Sequence, residues 1–293
     1  MVPRHKHGFL QFYLDSYNSE TMTQPPNEFR EFEYQGWQKS AQQYHESFGS
    51  LTNQTIESLL NAVNAKAGTK LLDIATGPGY VAARARDRQC QATGLDFSEA
   101  MLALARELHP EIEFVQGGAE ILPFDDAQFD AVVMNFGILH LAEPDRAIGE
   151  AFRVTRPGGK YAFTVWKDLR ESIGIKIVHE AIKAHGDFTV SLPEGPPFFY
   201  YSDPNNCIDA LQKAGFVNPI VQEMQLSWEI ESAEELFDAF AEGTGRTGGF
   251  LRRQTEECLA KIRRSVRQTA SQYRQNNHLV LPMAALVASA EKL

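Results

Sequence analysis

Two aspartates and two glycines are the first residues with chemistry to offer. In "LLDIATGPGY", Leu71 to Tyr80, an apolar run carries Asp73 and then breaks into Gly77-Pro78-Gly79. A carboxylate in a buried strand is costly unless it is hydrogen-bonded. Asp73 therefore needs either the amides of the glycine loop or a ligand's ammonium. Glycines at 77 and 79 let backbone approach a ligand closely, and their amides, with the start of the next helix, favour an anionic group. Gly77, Gly79 and Ala82 also satisfy the GxGxxA spacing of dinucleotide enzymes, although many such turns are only turns. Asp96 ends the next apolar run roughly 20 residues later, where an acidic side chain accepts from both hydroxyls of a ribose. The competing role for Asp96 is a helix cap. His140 follows Asn135 shortly after another apolar run. Histidine is the side chain most often used for proton transfer, which makes His140 the candidate general base, against a purely structural loop histidine.

These residues need elements to hold them. "KLLDIA", "QATGLDF", "IEFVQG", "FDAVVMNF" and "KYAFTVW" read as strands. Between them "YVAARARDR", "SEAMLALARELH" with Ser98 as N-cap, and "PDRAIGEAFRVT" read as helices, the last stopped by Arg156-Pro157-Gly158-Gly159. Alternation of this kind predicts an α/β fold with a mostly parallel sheet covered by helices on both faces. Ligands on such sheets bind beyond the carboxyl ends of the strands, where the glycine loop and Asp96 lie.

Upstream, residues 37–63 predict two helices, with Ile56, Leu59, Leu60 and Val63 on one face of the second. Residues 1–36 read as an N-terminal arm, and Met22 as an alternative start. Beyond Trp166 the pattern gives a helix over "ESIGIKIVHEAIKAHG", whose His179 and His185 read as surface residues. A proline-rich aromatic loop follows, in which "EGPPFFYY" either roofs an apolar pocket or packs on the core. Then come the helix "NNCIDALQKAGF", a strand, helices over 232–277 and a closing strand "LVLPMAALVASAEKL". The basic run "RRQTEECLAKIRRSVRQ" reads as the solvated face of a helix.

With 293 residues, 43% hydrophobic and 23% charged, the chain is ordinary globular protein, and its net charge of −10 argues against nucleic acid as a partner. Cys90, Cys207 and Cys258 are far apart and show no metal-ligand spacing, so no metal is expected. No apolar run approaches the roughly 18 residues of a membrane span. Stable membrane insertion is therefore not expected, and a cytoplasmic location is. The sequence leaves the oligomeric state open.

"LLDIATGPG", "GLDFSEAML", "GGAEILPFDDAQFDAVVMNFGILHL" and "RVTRPGGKYAFTVW" together resemble the ordered motifs of class I S-adenosylmethionine-dependent methyltransferases, in the small-molecule branch with the ubiquinone and menaquinone biosynthesis enzymes. The resemblance covers residues 37–166. It implies a Rossmann-like seven-stranded sheet with a reversed last strand, an N-terminal helical lid at 37–63, a cofactor-binding core at 68–166, and acceptor-side helical insertions at 167–204 and 232–277, all within one domain spanning 37–293. It also implies S-adenosyl-L-methionine as cofactor. The loop Ala75, Thr76, Gly77, Gly79 and the nearby Asp73 would face its methionine part, and Asp96 its ribose. Phe97 and Met101 would flank the adenine, and Ala119 and Glu120 would border its edge. Asn135 would lie beside the sulfonium, and Tyr44 would close over the cofactor. Where many relatives carry Gly-Asp-Ala-Glu, this chain has Gly117-Gly118-Ala119-Glu120, so the aspartate that accepts from the adenine amine is missing at Gly118.

The reading is methyl transfer to a small-molecule acceptor by in-line displacement, a step that depends mainly on alignment and exclusion of water. Two alternatives stand beside it. An NAD(P)-dependent oxidoreductase fits the glycine loop and Asp96 but not Asp73 or "RPGG". The other is a non-catalytic S-adenosylmethionine-binding protein.

Overall fold

A computed structural model describes residues 26–293. Residues 1–25, including Met22 and most of the expected arm, lie outside the described residues. The chain forms two compact units. One, the sheet unit, comprises Thr52–Trp166, Tyr201–Met224 and Ala285–Leu293. The other, the helical unit, comprises described residues up to Leu51, Lys167–Tyr200 and Gln225–Ala284.

In the sheet unit β1 (Lys70–Ile74), β2 (Gln91–Asp96), β3 (Glu113–Gln116), β4 (Phe129–Met134) and β5 (Thr155–Trp166) are paired in parallel. Leu71, Leu72, Asp73 and Ile74 are all buried, as expected for a strand covered on both faces. The helices follow from their periodicity. α1 (Pro26–Ser47) belongs to the helical unit. α2 (Ile56–Ala62), α3 (Tyr80–Asp87), α4 (Glu99–Leu108) and α5 (Pro144–Val154) belong to the sheet unit. α5 buries Ala147, Ile148, Ala151 and Val154, one stripe at helical spacing. Ile56, Leu59 and Leu60 of α2 join Leu71, Val81, Val133, Ala162 and Val287 in one core cluster.

The complete sheet runs β3-β2-β1-β4-β5-β8-β6, where β6 is Val217–Ile230 and β8 is His278–Glu291. β8 is antiparallel to β5. The two-residue strand β7 (Arg274–Gln275) pairs with β8 off this path, so the sheet has eight strands rather than the expected seven. The Arg156–Gly159 segment is also a correction. Helix α5 does stop just before it, at Val154, but the segment lies within β5 rather than in a turn ahead of that strand, because Gly158 donates to the Lys292 carbonyl at 2.7 Å and Lys292 donates back to Gly159 at 3.0 Å.

In the helical unit, helix α1 is already formed at Pro26, inside the stretch read as an arm. Phe29 and Glu33 are buried there, and the Glu33 carboxylate accepts from Trp37 Nε1 at 3.0 Å and from Arg246 Nε at 3.0 Å. Arg246 also donates to the Pro196 carbonyl at 2.9 Å and lies over the Phe29 ring, so the proline-rich loop packs against this unit's own core. Helix α6 (Ile173–His185) buries Ile175, Val178, Ala181 and Ile182, and also His179, which the sequence placed at the surface. His179 sits edge-on to Phe199 and Phe240, and its burial pushes the imidazole down to about 3, so it stays neutral. α7 (Pro204–Lys213) is helical as read and belongs to the sheet unit, whereas α8 (Ala233–Gly243), α9 (Arg246–Leu251) and α10 (Glu256–Ala270) belong to the helical unit. Arg274–Gln275, read as helical, form β7 instead. On α10, Ile262 and Val266 are buried, while Arg263, Arg264 and Arg267 are exposed.

Candidate functional site

Asp73 lies in the fully buried part of β1, one residue before the chain turns over Ala75–Gly79. Ala75, Gly77 and Gly79 all have left-handed backbone, with φ of 53°, 53° and 84°. At Gly77 an added Cβ would meet nothing nearer than Met101 Sδ at 4.0 Å. Backbone conformation, not lack of space, therefore calls for glycine there. Gly137 shows the opposite case. A Cβ there would fall 2.6 Å from Ala75 Cβ, so a glycine after β4 lets the loop after β1 lie against it.

Three of the loop amides, including those of both glycines expected to face an anion, are engaged within the protein. Thr76 N donates to the Leu95 carbonyl at 2.9 Å, Gly79 N to the Thr76 carbonyl at 2.9 Å, and Gly77 N to Asp96 Oδ2 at 2.8 Å. In the first turn of α3, Ala82 N donates to Asp73 Oδ2 at 3.2 Å. The Asp73 carboxyl thus takes the place at this helix N-terminus that a bound anion would otherwise fill.

Thr76 Oγ1 also donates to Asp73 Oδ2, at 2.5 Å. The second oxygen, Oδ1, is buried with no hydrogen-bond partner among the described residues. Burial raises the Asp73 pKa to about 7, against the pull of Thr76 and Ala82. Asp96 is also buried. It accepts from Gly77 N and, through Oδ1, from Ser98 N at 2.8 Å. Its burial raises the carboxyl to about 6, with the backbone donors and the charge of His140 acting the other way. Two carboxyls held near neutrality at adjacent strand ends are matched to a ligand that brings positive charge and hydroxyl donors.

The other expected residues of the sheet unit fall on the same edge or just behind it. Phe97 follows β2, and Met101 is buried in the first turn of α4, its amide donating to Ser98 Oγ at 3.3 Å. Gly118, Ala119 and Glu120 follow β3, where Gly118 and Ile121 form an isolated bridge. At Gly118 an added Cβ would meet only Glu120 Oε2, at 3.8 Å, so the position has room for a side chain. The Glu120 carboxylate is buried and accepts from Ala142 N at 3.2 Å and Glu143 N at 3.3 Å, which fastens this loop to the start of α5. His140 ends the short turn Ile138–His140 after β4. Tyr44 lies in the helical unit, on α1, stacked on Phe48 and edge-on to Trp37.

Asn135 holds more than its sequence position indicated. Its Oδ1 accepts from Thr164 Oγ1 at 2.6 Å and Thr55 Oγ1 at 2.8 Å, and its Nδ2 donates to the Thr52 carbonyl at 3.2 Å. Thr164 also accepts from Phe136 N at 2.8 Å. The network ties the chain before α2 to the carboxyl ends of β4 and β5. A single threonine inside the apolar "AFTVW" was the sequence signal for it. Beside it Phe136 and Trp166 stack with ring centroids 3.9 Å apart.

The strand order, with the reversed β8 between β5 and β6, and the two carboxylates around a left-handed loop now meet an independent comparison. Residues 72–163 match the profile of a family described as a methyltransferase domain. The fold is that of a class I methyltransferase. The chain resembles the quinone biosynthesis members: it is 41% identical over 102 residues to a demethylmenaquinone methyltransferase of Renibacterium salmoninarum. That alignment spans 35% of this chain and 43% of the relative. Among solved structures, the Haemonchus contortus phosphoethanolamine N-methyltransferase 2 in complex with S-adenosyl-L-methionine superposes with a TM-score of 0.57 at 17% identity, covering 94% of this chain and 62% of that one. The [4+2]-cyclase SpnF gives 0.51 at 22% identity, covering 82% of each chain. A cyclase among these neighbours shows that the fold alone does not fix the reaction.

The described residues fit S-adenosyl-L-methionine. Asp73 Oδ1 is an unsatisfied acceptor suited to an ammonium, and Asp96 has lone pairs left for ribose hydroxyls after accepting its backbone donors. No group of three or more histidine, cysteine, aspartate or glutamate side chains that could hold a metal ion occurs among the described residues.

Proposed function

We propose that this protein transfers a methyl group from S-adenosyl-L-methionine to a small-molecule acceptor. The observation that carries the reading is the unpartnered Oδ1 of buried Asp73 beside the loop Ala75–Gly79. Bound there, the cofactor supplies an electrophilic methyl on a sulfonium. The protein's share is to bind, orient and exclude water. Asp73 accepts from the ammonium, and Asp96 accepts from the ribose while keeping Gly77 in place. Phe97 and Met101 flank the base, and Ala119 borders its edge. Asn135 reaches the site through the threonines it holds, with its side chain committed to Thr164, Thr55 and Thr52. Alignment of this kind replaces a dedicated catalytic side chain. His140 becomes a base only for an acceptor that loses a proton.

The oxidoreductase alternative needs loop amides for a pyrophosphate. Here those of Thr76, Gly77 and Gly79 are engaged within the protein, and a carboxylate occupies the helix N-terminus. Such a site repels phosphate and favours a cationic ligand. The name of the relative makes a demethylated quinone ring the first acceptor to test. No helix among the described residues is long and apolar enough to cross a membrane, and a cytoplasmic location is part of this reading. Calorimetric titration tests it: S-adenosylhomocysteine should bind stoichiometrically and NADH should not. NADH binding without S-adenosylhomocysteine binding would overturn it.

A further inference from the structure

The loop after β3 is fastened to α5 at both ends of that helix. At the start, Glu120 accepts from Ala142 N and Glu143 N. At the end, one guanidinium carries most of the attachment. Arg153 Nη2 donates to the Leu122 carbonyl at 3.0 Å, and Nη1 to the Phe124 carbonyl at 2.7 Å and Asp126 Oδ1 at 2.8 Å. Its remaining donors meet Glu150, Nε to Oε1 and Nη2 to Oε2, both at 2.8 Å. Glu150 Oε2 in turn accepts from Leu122 N at 2.7 Å, and Ala127 N donates to the Arg153 carbonyl at 2.9 Å. Leu122 is therefore held through both its N–H and its carbonyl, two residues from Glu120.

Helix α5 is itself braced. Lys292 Nζ donates to the Phe152 carbonyl at 2.7 Å and lies 4.3 Å from the centre of the Phe152 ring. The guanidinium is only partly exposed, and its bonds to Glu150 and Asp126 hold it charged. A lysine would keep the charge but not the planar fork that reaches two carbonyls and a carboxylate together.

We propose that Arg153 is a positioning residue for cofactor recognition. Acting with Glu150, it fixes the Gly118–Leu122 segment so that the segment presents a defined edge to the adenine. This rests on the S-adenosylmethionine reading above and deepens it. Without the carboxylate at Gly118, discrimination of the base falls to backbone groups, which are as exact as the loop is rigid. Loosening the loop then costs discrimination before it costs fold.

The test compares S-adenosylhomocysteine with S-inosylhomocysteine, whose base has an oxygen in place of the amine. In the native protein the adenine ligand should bind roughly tenfold more tightly or better, the worth of about one hydrogen bond in such a pocket. In Arg153→Lys that ratio should fall towards one, and amide exchange over 118–122 should speed up. General weakening lowers both affinities together and leaves the ratio alone. Glu150→Gln, which keeps shape and packing, serves if Arg153→Lys does not fold. A folded variant with the native ratio and native exchange overturns the proposal, as does a native protein that binds both ligands equally. If neither ligand binds native protein, the cofactor reading fails, and exchange over 118–122 alone decides whether Arg153 holds the loop.

Discussion

Replacing Asp73 with asparagine should stabilise the ligand-free protein at neutral pH while weakening cofactor binding. Asparagine keeps the shape and an acceptor for Thr76 and Ala82 but removes the buried charge. A rise of the Asp73 pKa from 3.8 to about 7 corresponds to at most about 4 kcal/mol by which its ionisation disfavours the fold. The sign follows from proton binding. Below about pH 4 the carboxyl is neutral in both states, and this contribution to stability is fully present. As pH rises towards 7 the unfolded chain ionises while the folded one keeps its proton, so stability falls. Above about pH 7 the loss is complete. Asparagine does not titrate, and Asp96 titrates in both proteins. The melting temperature of Asp73→Asn minus that of native protein should therefore increase by roughly 5–10 °C between pH 4 and pH 8. The assay is thermal unfolding across that range, without and with S-adenosylhomocysteine. Ligand should raise the native protein's melting temperature near pH 8 much more than the variant's, since only the native protein offers a carboxylate to the ammonium. A pH-independent difference would refute the placing of a strained, ligand-seeking carboxyl at Asp73. Stability lost together with unchanged binding would make it a structural residue.

Asp96→Ala should reduce S-adenosylhomocysteine affinity at least tenfold, because charge-assisted hydrogen bonds of roughly 1.5–3 kcal/mol are lost and Gly77 loses its acceptor; calorimetry with folded variant checks it, and equal affinity would sink the ribose assignment. Gly118→Asp should tighten binding up to roughly tenfold with little change in melting temperature, since a Cβ there meets only Glu120 Oε2; weaker binding in a folded variant would put the adenine amine elsewhere. His140→Ala should lower turnover by less than about 10² and leave the acidic limb of the pH–rate profile in place. A larger loss that removes the limb, with cofactor affinity intact, would make His140 the base.

Strands β1 to β5 were legible because a parallel sheet covered on both faces writes nearly continuous apolar runs, and Asp73 and Asp96 stood out as charges within two of them. Ser98 was readable as a cap for the same local reason. What escaped was set by partners distant in sequence. The acceptors that occupy the loop amides include Leu95 and Asp96, on the neighbouring strand. The Asn135 network draws on Thr55 and Thr164, and the α5 clamp joins Arg153 to Leu122 and Phe124. His179 was misplaced because one polar residue on a helix looks like a surface residue until both flanks are seen to be covered by Phe199 and Phe240. The early start of α1 was hidden because Glu33 looks solvent-facing, whereas Arg246 pairs with it inside the helical unit.

The central claim is methyl transfer, and the most direct measurement follows the methyl group itself. The protein is incubated with methyl-labelled S-adenosyl-L-methionine and a small-molecule extract that includes demethylated quinones. Label in the extract and S-adenosylhomocysteine released are both quantified, with Asp96→Ala as the control. The account predicts label in a discrete small molecule, matched one for one by S-adenosylhomocysteine and strongly reduced in the variant. Tight cofactor binding with no labelled product from broad acceptor mixtures would contradict it and leave a cofactor-binding protein that does not transfer.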